Sequence, residues 1–239
     1  MNCLVIVNEL YRYFSLLVDI ERLEQKYVNT TKPVSNFHKS VSLQHDIITL
    51  TMKYNDEENL YSEYFRATFK VVATTTTLLE LHYIPDERKN EILDYLQKNS
   101  PKSFNSEMLP NSETVNEEVM QYLNVADEIA KQAYGCSQGD DYMPGYFSEV
   151  IVDDSGVILR QINRWNSRST LHKNDYHLRD LEFHIPNAGA ENKLKYGADK
   201  IGRMTILFSD SSSMNNKVCG ERIYNEIQLQ KIQFEKSQQ

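Results

Sequence analysis

The stretch LYSEYFRATFKVVATTTTLLEL, residues 60–81, decides how the first half of the chain is read. Leu60, Tyr64, Ala67, Val71, Leu78 and Leu81 recur at steps of four and three, with Thr74 in the missing place. One face of an α-helix repeats in that way. Against it stands Thr74–Thr77, a β-branched run that loses side-chain freedom in a helix and by propensity alone suits a strand. The flanking period holds across the run. The spacing therefore predicts a helix, bent where threonine hydroxyls bond carbonyls one turn back.

The same period extends towards the N-terminus. Ile6, Leu10, Tyr13, Leu17, Ile20, Leu23 and Tyr27 mark a helix, and Leu4, Val5, Phe14, Leu16 and Val18 beside them imply burial on more than one side. Thr30, Thr31 and Pro33 end it. Leu43, Ile47, Leu50 and Tyr54 predict a second helix over residues 36–54, and Asn55 with Glu58 suits a cap for the next. Pro85-Asp86-Glu87 opens another, carrying Ile92, Leu93 and Leu96. Residues 99–112, with Pro101 and Pro110, read as a loop. A last helix is expected from Ser112 to Tyr134, stopped by Gly135. Residues 1–134 thus read as a helical bundle region.

Beyond Gly135 the period shortens to two. Tyr146–Val152 and Val157–Ile162 flank Asp153-Asp154-Ser155-Gly156, the pattern of a hairpin whose aspartates bond the turn backbone. Further strands are expected over Tyr176–Ile185 and Arg203–Ser209. The tail, Glu221–Phe234, permits either a helix or an edge strand. Residues 146–239 form the strand-rich region. The expected class is α+β: an N-terminal helical bundle followed by a mainly antiparallel β-sheet.

Composition narrows the function. The chain of 239 residues carries a formal net charge of -8, which argues against a protein built throughout to coat nucleic acid. No stretch is long and apolar enough to span a membrane, and no basic, apolar leader opens the chain, so no membrane partner and a cytoplasmic location are expected. Cys3, Cys136 and Cys219 form neither a disulfide pattern nor a metal knuckle.

The basic segment 160–203 holds nine Lys/Arg against five Asp/Glu. Arg160, Arg164 and Arg168 recur every four residues, with His172 and Lys173 following. Guanidinium forks suit phosphates and Trp165 could stack on a base, so these residues are candidate nucleic-acid contacts. The competing reading is a solvated face or salt bridges. A second candidate is catalytic. Asp154 ends one strand, and Asp180, Glu182 and His184 share one face of another. The set resembles a common nuclease core, in which a lysine stands two residues after the glutamate, the place His184 takes here. That resemblance implies a divalent metal activating water for phosphodiester cleavage. The alternative is an outward strand face above a core of Leu181, Phe183 and Ile185.

Other signals are thinner. His38 and His45 are seven apart, short of a ligand set, so no metal site is assigned on them. Gly135-Cys136-Ser137-Gln138-Gly139 has the spacing of a nucleophile elbow but follows an expected helix rather than a strand. Fifteen tyrosines and nine phenylalanines supply interface area, with Tyr142, Met143, Tyr146 and Phe147 gathered at the junction. The leading expectation is an interaction or adaptor protein, working through protein contacts and self-association, without a cofactor. The alternative is a metal-dependent nucleic-acid-processing enzyme or nucleic-acid-binding module in the C-terminal half.

Overall fold

Residues 60–81 do not form a helix. In the computed structural model Tyr61–Val72 is a strand, β3, and Thr75–Tyr83 is its antiparallel partner, β4. The structure describes residues 3–27, 37–55, 61–104, 117–134, 147–166, 176–187, 199–208 and 217–239.

The helix-like spacing has a physical origin. Phe65, Ala67 and Phe69 alternate into the core with the period of a strand. Two β-bulges each insert one extra residue. Met52 pairs with Phe65 but Lys53 pairs with Glu63, so Tyr64 is extra; Thr68 pairs with Glu80 but Phe69 pairs with Leu78, so Leu79 is extra. Two of the three steps of three in the apparent helical stripe, Tyr64 to Ala67 and Leu78 to Leu81, span or adjoin these insertions, and the third, Val71 to Thr74, crosses the hairpin turn. The β-branched threonines lie where their propensity places them, in β4 and the turn before it.

The segment expected as a second helix is likewise a hairpin, β1 (Phe37–Gln44) and β2 (Ile47–Asn55). Val41, Leu43, Ile48, Leu50 and Met52 face inward, and Ser40, Ser42, Thr49 and Thr51 between them do not. The N-terminal helical bundle is therefore overturned. The α+β class stands, but the helices are interspersed: α1 (Cys3–Tyr27), α2 (Lys89–Asn99), α3 (Glu117–Tyr134) and α4 (Lys217–Ser237). α4 resolves the open choice for the tail in favour of helix.

The chain divides into two compact units. The first comprises Val5–Thr114 with Ile151–Asp154. Its strands run in the order β4-β3-β2-β1. α1 supplies Leu10, Tyr13, Leu17 and Ile20 to its core, with Tyr13 edge-on to Phe69 at 5.5 Å between ring centres. Burying each such large apolar side chain contributes about 1.5–3 kcal/mol.

The second unit comprises Met1–Leu4, Val115–Val150 and Ser155–Gln239. Its strands are β5 (Glu149–Asp153, shared with the first), β6 (Gly156–Asn166), β7 (Tyr176–Pro186), β8 (Asp199–Ile201) and β9 (Met204–Phe208), in the order β5-β6-β7-β9-β8. α3 packs on α4 and on β7. Leu123, Ile129, Leu159, Leu181, Phe183, Ile206 and Ile227 are among its buried side chains. No helix of the described residues is long and apolar enough to cross a membrane.

Ala73 closes the β3–β4 hairpin at φ 54°, a left-handed conformation that an L-residue adopts at a cost of about 1–2 kcal/mol. Ala73→Gly should therefore stabilise the protein by about 1 kcal/mol, read as a higher urea midpoint at unchanged slope. In a helix the same change would destabilise by about 1 kcal/mol, so the sign tests the hairpin directly.

Candidate functional site

β4 ends the strand order of its unit. A terminal strand leaves backbone N–H and C=O groups pointing away from the sheet, and proteins manage such edges by covering, twisting or charging them. Here the two ends are held and the middle is not covered by another strand among the described residues.

At the N-terminal end, Lys102–Phe104 lies along the edge as a short extended segment. Thr76 N–H donates to Lys102 O at 3.1 Å, Phe104 N–H donates to Thr74 O at 2.7 Å, and Thr75 bridges Ser103 in antiparallel sense. The Thr76 hydroxyl donates to Pro101 O.

The C-terminal end is held by a buried carboxylate. Glu24, near the end of α1, is 1% exposed. The Tyr64 hydroxyl donates to its Oε2 at 2.6 Å, and the Tyr83 hydroxyl and Arg88 Nη1, the latter at 2.8 Å, donate to its Oε1. The bulge is what admits Tyr64 to this group, because the extra residue leaves the regular alternation. Arg88 turns its other face to Glu91, with Nε–Oε2 at 2.9 Å and Nη2–Oε1 at 3.1 Å. Burial, then the bond to Glu24, pushes both phenols well above their ordinary range. The bond to Glu91 holds Arg88 charged against the pull of burial, and in return lowers the Glu91 carboxyl. Every strong donor has an acceptor, so this network is a clamp rather than a reactive centre.

Between the clamps β4 presents Leu79, 57% exposed; just past its end Ile84 is 54% exposed, and Val72, the last residue of β3, is 60% exposed. Glu80 and His82 are exposed on the same side of the strand, and Glu80 Oε1 lies 3.9 Å from Arg66 Nη2. Ile84 N–H donates to Tyr64 O at 3.1 Å. By the alternation of an antiparallel ladder, Glu80 and His82 also turn their backbone groups to β3, and Leu81 and Tyr83 turn theirs outward. The helix-like spacing of residues 60–81 hides this edge in the sequence, and the run Thr74–Thr77 is the signal that points to it.

The residues singled out from sequence lie elsewhere. Asp154 is occupied at a turn: the Lys39 backbone N–H donates to Oδ2 at 2.6 Å, and Lys39 Nζ lies 3.2 Å from Oδ1 and 3.0 Å from Glu21. Burial lowers the Lys39 ammonium, but the bonds to Glu21 and Asp154 outweigh it and the net direction is upward. His38 Nδ1 is 3.7 Å from Asp154.

Glu182 and His184 face away from the core, contact one another, and alternate with buried Leu181, Phe183 and Ile185. Arg160 bridges from Nε to Glu182 at 2.8 Å and from Nη1 to Glu149 at 2.6 Å. The backbone of Asp180 pairs with Ile162, and Arg164 and Trp165 lie in β6; the side chains of these three are outside the described residues, as are Arg168, His172 and Lys173 altogether. Tyr142, Met143, Tyr146, Cys136 and Ser137 also lie outside the described residues. Phe147 is buried and packs edge-on to Phe183 at 6.1 Å. Among the described residues no three His, Cys, Asp or Glu side chains gather as metal ligands would.

The second unit has a cleft of about 730 Å³ lined by Glu117, Glu118, Gln121, Tyr122, Gly202 and Phe234, among others. Tyr122 and Phe234 stack at 5.1 Å across its floor. Gly202 stands at φ 54°, and a Cβ there would come within 2.5 Å of the Tyr122 hydroxyl. Glu118 is engaged by Arg203 Nε at 2.8 Å, and Gln238 donates to Gln121 at 3.3 Å.

No family model, no curated protein and no solved structure matches the chain.

Two outcomes test the electrostatics described above. Arg88→Met leaves Glu24 buried without its cation and should cost about 3–5 kcal/mol in chemical denaturation, against about 1–2 kcal/mol for Tyr83→Phe. For Glu182, burial raises the carboxyl but Arg160 and His184 outweigh it, and the group sits below its ordinary value of 4.5. A carboxyl lowered on folding adds stability above its unfolded value and loses it as pH falls. Glu182→Gln should destabilise at neutral pH, and the difference from the parent should shrink steadily as pH drops below 4.5.

Proposed function

We propose that this protein acts by binding other protein chains, and that the free side of β4 is the contact. One observation carries the reading: the edge already takes an extended backbone, Lys102–Phe104, along its first half, and among the described residues no strand pairs with its second half. Strand addition of this kind draws affinity from main-chain hydrogen bonds and selectivity from alternate side chains. Leu79 and Ile84 supply exposed apolar area on either side of Glu80 and His82, a mixture suited to an interface centre with polar neighbours. The clamps at Thr74–Thr76 and Tyr83 support the same reading. They hold the strand straight before any partner arrives, so binding does not have to order it.

The features raised for nucleic acid give less support. Arg160, which heads the basic segment, is committed to Glu149 and Glu182, and Asp154 to Lys39. Such groups would have to break ion pairs to meet a phosphate or a metal.

Panning a random-peptide library against the folded protein should enrich peptides whose binding protects the amides of Leu81 and Tyr83 from hydrogen exchange. Leu79→Lys with Ile84→Lys, both at exposed positions, should weaken those peptides by about tenfold or more. Selection only of peptides that leave β4 amides unprotected would refute the reading.

A further inference from the structure

We propose that the chain received by the β4 edge is β4 of a second copy, paired antiparallel about Leu81. This rests on the binding role given to that edge and adds the identity of the partner.

Register favours the second copy. When a strand pairs with its own copy across a two-fold axis, the same patch serves both sides, and each residue meets the one equally far from the centre in the opposite direction. The centre can be an outward-facing residue, as a hydrogen-bonded pair, or an inward-facing one, as a non-hydrogen-bonded pair. Below the bulge Leu81 and Tyr83 face outward, since Ile84 donates inward to Tyr64; centred on Tyr83, Leu81 would face Pro85, which has no N–H to donate. Centred on Leu81, Glu80 of each copy stands opposite His82 of the other, so the pairing contains this acid–imidazole contact twice. Leu79, exposed as the extra residue of the bulge, then stands opposite Tyr83 of the second copy at the end of the ladder. The charged group meets a partner that can donate to it.

Neighbouring registers lose these matches. Centred on Glu80, two carboxylates oppose each other. Centred on His82, Glu80 faces Ile84. Centred on Leu79, His82 faces Thr76, a residue already engaged by Lys102. Arg66, 3.9 Å from Glu80, also lies 3.6 Å from Glu63, so its charge is shared between two carboxylates and Glu80 keeps capacity for a second donor. The bulge stops the ladder at Leu79, so the pairing is short and bounded, closing on two copies instead of continuing into a longer assembly.

Sedimentation velocity on the full chain, over a range of concentrations, should show a monomer–dimer equilibrium. His82→Glu alone sets carboxylates opposite one another at both symmetry-related positions, and Glu80→His alone removes both acids. Each should weaken the dimer by about tenfold or more. The double substitution Glu80→His with His82→Glu exchanges the partners and should return the dimer to within about threefold of the parent. Leu79→Lys, at an exposed position where folding is not at risk, should also weaken it. A chain that stays monomeric at about 100 µM, or a dimer indifferent to these changes, overturns the proposal. A monomer whose β4 still binds selected peptides would overturn only the second copy as partner. A monomer whose edge binds nothing would remove the binding role as well.

Discussion

The Glu24 carboxylate is the constraint on which the first unit turns. A buried carboxylate without partners would cost several kcal/mol, and this one is relieved only when α1, β3, β4 and the turn carrying Arg88 are all in place. Four segments distant in sequence are thus tied through two oxygens. Apolar packing alone would allow the second half of β4 to slide or fray, because among the described residues no strand lies along its outer side. The tyrosine hydroxyls and the guanidinium set one register, and Tyr64 reaches the group only because the bulge gives it an extra place in the strand. The irregularity that looks like a defect in the ladder is what connects the ladder to the helix.

The same irregularities explain what could be read in the chain. α1, α2 and α3 lie where a period of three to four predicts helix, and the β5–β6 hairpin lies where alternation and Gly156 predict one. The first-unit hairpins were hidden for two reasons. Their turns use His45 and Ala73 at positive φ, without the glycine that usually marks such a turn. Their bulges convert a two-residue period locally into three, and Leu50 and Ala67 satisfy the helical and the strand template equally. The candidate edge was illegible for the same cause, since a strand read as helix has no edge. The outward face of β7 was legible, because Glu182 and His184 alternate with core residues without interruption.

A repeated plan also escaped the sequence. The first unit runs helix, four strands, helix; the second runs helix, then strands of which β5, β6, β7 and β9 follow one another across the sheet, then helix. No repeat of residues accompanies it. Physical chemistry accounts for that. Each unit needs an amphipathic helix to cover one face of an antiparallel meander, and many side-chain sets meet that need. The units differ in their polar interiors. The first centres on a charged clamp, whereas the second buries Gln161, whose amide donates to Ala130 O in α3. A polar group at the core has to be satisfied wherever it falls, so it is particular to its site, while the apolar pattern around it is generic.

The two ends of the strand orders are treated differently, and this bears on the proposed use of β4 as an interface. In the second unit the last strand, β8, is three residues long, and shortness is itself protection against unwanted pairing. β4 has nine residues, is rich in β-branched side chains, and carries no lysine or proline within it. Its internal defences are the charge of Glu80 and the bulge at Leu79, which limits how far a neighbour can extend without preventing one from docking. An edge under pressure solely to remain unpaired would gain by charge at Leu79 or Ile84, both of which face solvent and could change without disturbing the core.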